Sequence, residues 1–159
     1  MSPTLTRLFE EYAADHRHPM NRLTHKVAIP FITFHVMAML GWVQLGAPFA
    51  VGAWRVTPTL GVVGWLLATL VYLRWSVPLG LGMSALLALC LPLGAVTPGW
   101  LVVVIAVVAW VIQLAGHAVW EKNRPSFTKN IQQMLVGPIF FLAVLTGAWR
   151  PGRSAPASA

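Results

Sequence analysis

Residues 99–125 read GWLVVVIAVVAWVIQLAGHAVWEKNRP, and this stretch decides what kind of protein the chain is. No charged residue interrupts the run from Gly99 to Trp120. That is the length, about 20 residues, that a helix needs to cross a hydrocarbon core of roughly 30 Å. Toward its end, polar residues return at a spacing of four, Gln113, His117 and Glu121. On a helix these share one face, so an apolar rod ends in a polar stripe. Such groups are costly near lipid and tend to mark function. Gly116, beside His117, would let a second helix approach closely.

Working outward, the rest of the chain has the same character. Of its 159 residues 57% are hydrophobic and only 9% charged, with a mean hydropathy of +0.70. A soluble domain is about a quarter charged, so the bilayer must supply part of the solvent. Besides Gly99–Trp120, apolar segments run from Val27 to Gly46, Leu60 to Trp75, Val77 to Val96 and Met134 to Trp149. Gly46-Ala47-Pro48, Thr57-Pro58, Ser76-Val77-Pro78 and Thr97-Pro98-Gly99 punctuate them. The second and fifth segments are short for a span, and Pro138 lies early in the fifth, so either can be kinked or re-entrant. The expected architecture is an all-α, multi-pass transmembrane bundle of four to five helices with short N-terminal cytoplasmic helices. Residues 1–149 form one domain, and the Pro-, Ser- and Ala-rich stretch 150–159 is expected to be disordered. The first 26 residues contain acids and several histidines but no apolar core, so they do not read as a cleavable signal.

The formal net charge of +7 raises nucleic acid as a partner. The basic residues flank apolar spans and form no stripe, which is the pattern that sets membrane topology, and nucleic-acid binding is set aside. Arg7, Arg17, Arg22, Lys26, Arg74, Lys122, Arg124 and Lys129 share one side if every segment crosses, with Arg55, Arg150 and Arg153 opposite. The crowded side is then cytoplasmic. Trp75, Trp100, Trp120 and Trp149, near span ends, read as interface anchors. Cys90 is the sole cysteine and reads as a packing residue.

Four crossings return the chain to the face from which it started. The segment before the first span therefore meets the end of the fourth. Tyr12 to Pro30 reads YAADHRHPMNRLTHKVAIP. Tyr12 and His16 are four apart, as are Asn21 and His25, and each pair shares a helix face. Pro19 suits the first turn of a new helix, and a break there lets His16 fold back toward His25. His18, just before Pro19, is expected to be extended or a helix cap. His35, inside the first span, reads as a neutral histidine bonded to a neighbouring helix. His16, His25 and His117 thus converge as a candidate ligand set, since imidazoles suit Fe, Zn or Cu. Interfacial histidines bonded to backbone or lipid headgroups are the other reading of the same residues.

His16, Asn21, His25 and Pro30 ahead of the first span, with Gln113, Gly116, His117, Glu121, Lys122 and Pro125 at the end of the fourth, resemble a known family. It is the membrane 2-hydroxy fatty acid dioxygenases of phytosphingosine metabolism; Asn130, Gln133 and Pro138 continue the match. The resemblance implies Fe(II)-dependent oxidation of a long-chain 2-hydroxy fatty acid by O2 in lipid α-oxidation, yielding an acid one carbon shorter. It implies that His16, His25 and His117 bind iron, with Glu121 as a further ligand or as the acceptor that orients an imidazole. Arg124 or Lys122 would neutralise the substrate carboxylate, and Tyr12 or Asn21 would bond its hydroxyl. The site would face the cytoplasm, at the inner membrane of a bacterium or the endoplasmic reticulum of a eukaryote. A membrane di-iron oxidase or hydrolase, or a non-enzymatic scaffold or transporter, remain the alternatives.

Overall fold

The computed structural model describes residues 1–125, 128 and 130–150. The tail expected to be disordered (beyond Arg150), with Arg153, and the topology charge Lys129 lie outside the described residues. The chain begins with α1 (Pro3–Ala14), whose N-terminus is capped by the Ser2 hydroxyl accepting the Leu5 N–H at 3.2 Å. Leu5, Leu8, Phe9 and Tyr12 fall at helical spacing and are all buried. Phe9 meets Phe140 and Trp149 edge-on, with ring centroids 5.1 and 5.3 Å away. This amphipathic helix is therefore packed into the bundle and is not a peripheral arm.

The next helix, α2 (Pro19–Trp42), starts eight residues earlier than the apolar pattern suggested. Pro19 opens it, and the His18 ring accepts the Met20 N–H at 3.2 Å as its cap. The polar turn carrying Asn21 and His25 is thus continuous with the first span, and there is no separate second N-terminal helix. Pro30 sits inside it, which a membrane helix tolerates when neighbours take up the freed backbone groups. The first span also ends sooner than expected, at Trp42. A small antiparallel hairpin follows, β1 (Phe49–Val51) with β2 (Trp54–Val56), turning at Gly52 with φ of 60°. It is a minor addition to an all-α bundle.

Helices α3 (Leu60–Trp75) and α4 (Val77–Val96) have the bounds the turn residues set. They are clasped by the Trp65 indole donating to the Ser84 carbonyl at 3.0 Å and by Thr69 donating to the Ser84 hydroxyl at 2.9 Å. Helix α5 (Gly99–Ala115) runs into a π-helical turn, Gly116–Glu121, and α6 (Gln133–Leu145) closes the bundle. Among the described residues, three helices are long and apolar enough to cross a membrane: α2, α4, and α5 with its π turn. Leu66, Leu67 and Leu70 on α3 and Val103, Val107 and Val111 on α5 remain exposed, as a lipid-facing surface requires.

Small residues set the packing order. A side chain at Gly94 would strike Ala38, and one at Gly61 would meet the Gly41 backbone about 3.0 Å away. The far end of α2 therefore lies against the start of α3 and the end of α4. At the opposite end, a side chain at Gly116 would strike the Asn21 and Thr24 side chains. The beginning of α2 and the end of α5 are thereby brought together at one end of the bundle. Trp75 and Trp149 are buried in the core, not set at an interface as their positions near segment ends suggested. Trp149 packs on Phe9 of α1, a neighbour that no local pattern reveals.

Candidate metal centre

Three imidazoles meet where α1, α2 and the π turn converge. Each uses its Nδ1 on an oxygen acceptor. His16 folds over the C-terminus of α1, its Nδ1 lying 2.6 Å from the Tyr12 carbonyl, one of the last-turn carbonyls a helix leaves free. Nδ1 of His25 is 2.8 Å from the Asn21 carbonyl one turn back on α2. Nδ1 of His117 is 2.9 Å from Asn123 Oδ1. Because the Asn123 amide nitrogen donates to the Asp15 carbonyl at 3.3 Å, its oxygen is the atom turned toward His117.

An oxygen acceptor requires a hydrogen on Nδ1, and a neutral imidazole then carries its lone pair on Nε2. Nε2 of His25 and Nε2 of His117 lie only 3.1 Å apart. Two lone pairs at that distance repel unless a shared proton or a metal cation lies between them. The ring centroids are separated by 4.4, 4.8 and 4.8 Å with mutual angles of 76°, 73° and 82°, so the rings stand edge-on around a shared space. One ligand atom from each histidine lies within 4.8 Å of those of the other two, and all three residues are buried. Burial pushes the His16 imidazole down from 6.5 to about 4, against the pull of the Tyr12 carbonyl, so at neutral pH it is an uncharged donor. Three nitrogen donors, each ring oriented by an oxygen at Nδ1, fit a first-row transition metal.

Tyr12 stacks on His16, with ring centroids 4.0 Å apart. Burial raises its phenol above the ordinary value, keeping it protonated and able to donate. Glu121 does not reach an imidazole Nδ1. Its Oε1 accepts the His18 N–H at 2.7 Å and ties the α1–α2 connection to the end of the π turn. Asn21 is fully buried with its side chain against Gly116, so it acts on the site through its carbonyl under His25. Lys122 and Arg124 are exposed, and Lys122 takes a left-handed φ of 52° that ends the π turn. His35 is buried and neutral by geometry: its Nδ1 faces the Phe31 carbonyl and its Nε2 accepts the Trp110 indole N–H at 3.2 Å. The acceptor role expected of Glu121 is filled for His117 by Asn123, a residue that sequence reasoning passed over.

A small cavity of about 70 Å³ adjoins the cluster, and its walls include Thr33, Gln113 and Gln133 beside His16 and His117. Thr33 Oγ1, Gln113 Oε1 and Gln133 Oε1 are buried without a hydrogen-bond partner. Polar room of this size holds a water or another small polar group. A second, larger groove of about 740 Å³ lies on the other side of Tyr12 and His16, between α2 and α6.

A family described as 2-hydroxy-palmitic acid dioxygenase Mpo1-like matches residues 3–149, from the first turn of α1 to the buried Trp149. The 2-hydroxy-palmitic acid dioxygenase MPO1 of Saccharomyces cerevisiae is 29% identical over 136 residues, covering 82% of this chain and 72% of that protein. No solved structure matches. The family match spans all three histidines and every helix that carries them, and on that ground the chain belongs to the Mpo1-like family.

Proposed function

We propose that this protein is an Fe(II)-dependent dioxygenase that shortens long-chain 2-hydroxy fatty acids by one carbon, with His16, His25 and His117 holding the metal at the cytoplasmic end of the bundle. The observation that carries the metal is the convergence of three Nε2 lone pairs, each fixed by an oxygen on Nδ1. The reaction class is drawn from the family and from the name of the yeast relative. A neutral all-nitrogen donor set suits one ion; the carboxylates that a di-iron site requires are absent from this cluster among the described residues.

When bound, the iron supplies the electrons that make O2 reactive toward the bond beside the carboxyl carbon, chemistry no side chain can provide. The atoms balance as one 2-hydroxy acid and one O2 giving the shortened acid, CO2 and water. What the chain contributes is placement. The Tyr12 and Asn21 carbonyls and Asn123 Oδ1 accept from the three Nδ1–H groups and hold the rings in one orientation. The protonated Tyr12 phenol is a donor for the substrate hydroxyl, and burial of all three histidines keeps bulk water from the reacting groups. Glu121 holds the connection that carries His16 against the π turn.

Substrate chemistry suits a bilayer. A long-chain acid gains about 0.8 kcal/mol per buried CH2, so it already lies in the leaflet with its head at the surface. A site near the ends of α2 and α5 meets that head at its own depth.

Metal analysis of anaerobically purified protein, followed by 2-hydroxyhexadecanoate and O2, tests the proposal. About one iron per chain, oxygen uptake and pentadecanoate are expected. Bound zinc with no oxygen uptake would favour a hydrolase instead. Metal content unchanged in His16→Ala, His25→Ala and His117→Ala would leave only a scaffold or transporter.

A further inference from the structure

The larger groove has two kinds of wall. Along α2 and α6 it is apolar, formed by Leu23, Ile29, Phe140, Phe141, Val144 and Leu145. Beside the α1–α2 connection it is lined by Arg17, Arg22 and Lys26, all exposed. His16, His25 and Tyr12 also line it. No carboxylate lines the groove among the described residues, and Arg22 and Lys26 take part in no ion pair there; the ion pair the structure shows joins Arg7 and Glu11. Three cations in a lining without a carboxylate, beside an apolar trough and next to the candidate metal cluster, suit a negative charge on an apolar chain. At about 740 Å³ the groove is within the roughly 300–1,000 Å³ usual for a single small ligand. That size suits one acyl chain and not the two of a phospholipid.

We infer that this groove binds the substrate acid, its carboxylate held by Arg22 and Lys26 with Arg17 at the edge, its acyl chain lying along Ile29, Phe140 and Val144. The inference rests on the dioxygenase reading for the identity of the acid. It moves carboxylate recognition from Lys122 and Arg124, neither of which lines the groove, to Arg22 and Lys26 near the start of α2 and to Arg17 in the connection that precedes it. Arg22 and Lys26 are four apart, so they rise from one side of α2, one position from the buried face that carries Asn21 and His25. A carboxylate between them brings its neighbouring carbon toward His16 and His25.

Binding is measured without turnover, on full-length metal-free protein in neutral-lipid nanodiscs under argon, with radiolabelled 2-hydroxyhexadecanoate and its methyl ester as probes. Arg22→Gln/Lys26→Gln should weaken the acid by about tenfold or more, the range for lost charge-assisted contacts, and leave the ester unchanged. Val144→Trp, which fills the trough, should weaken both hexadecanoyl probes and spare 2-hydroxyoctanoate. Equal affinity of the double variant and the parent for the acid would overturn the inference. So would an equal loss for acid and ester, or displacement of the acid by equimolar phosphatidate, which would make a bilayer lipid the occupant. Selective acid binding with no oxygen uptake by the iron-loaded protein would sink the dioxygenase reading and leave the groove standing. Turnover with KM unchanged in the double variant would do the reverse.

Discussion

Asn123 reaches His117 from a loop six residues further on, and its amide is itself fixed by the Asp15 carbonyl. Removing such a partner of a metal-binding histidine typically costs about 10–100-fold in metal affinity. Asn123→Ala is expected to show that loss in a chelator competition titration, whereas Asn123→Asp, which keeps an oxygen acceptor, should lose less. His16 makes a second prediction at this scale. Its folded-state value of about 4 is below the ordinary 6.5, so between these values the unfolded chain binds more protons than the folded one. Stability of the metal-free protein is therefore unaffected by this group above pH 6.5 and falls as pH drops toward 4, by about 3 kcal/mol in all. Denaturation followed across that window checks the sign, and His16→Gln should flatten the slope. The histidines themselves were legible in the sequence because parity and spacing of four suffice to bring them together. Asn123 was not, because its approach depends on the left-handed Lys122 and the π turn, and neither leaves a periodic trace.

Among the elements, the contact between α2 and α5 depends most on a single residue. Gly116 faces Asn21 and Thr24 with no room for a methyl group. Overpacking of this kind costs about 1–3 kcal/mol, and here the strain falls between His25 and His117. Gly116→Ala is expected to lower both thermal stability and metal content, while Gly64→Ala, whose nearest neighbour is 3.4 Å away, should change neither. The bounds of α3 and α4 were readable because Thr57-Pro58, Ser76-Val77-Pro78 and Thr97-Pro98-Gly99 mark their ends. The start of α2 was not, since hydropathy reports where a helix turns apolar and not where it begins. Trp75 and Trp149 misled for a related reason: nearness to a segment end indicates a depth, whereas burial depends on α1 and α6 packing beside them.

Across the whole molecule, the return of the chain to its starting end requires an even number of passes between His25 and His117. This predicts opposite exposure for the two ends of the bundle. In a Cys90→Ala background, Arg17→Cys should react with a membrane-impermeant thiol reagent only from the cytoplasmic side, and Arg55→Cys, on the β1–β2 hairpin, only from the other. Labelling of both from one side would place an even number of crossings between Arg17 and Arg55 and end the proposed orientation.

The 92 residues between His25 and His117 also impose an order on biosynthesis. A ribosome delivers His16 and His25 early and the third imidazole only after three further helices have left the exit tunnel. Half-made chains therefore hold an incomplete nitrogen set, with Nε2 groups that have little grip on a redox-active ion. On the proposed reading, metal capture is deferred until the last of these helices is made, so nascent polypeptide is spared from carrying a reactive ion beside unfolded, oxidisable side chains.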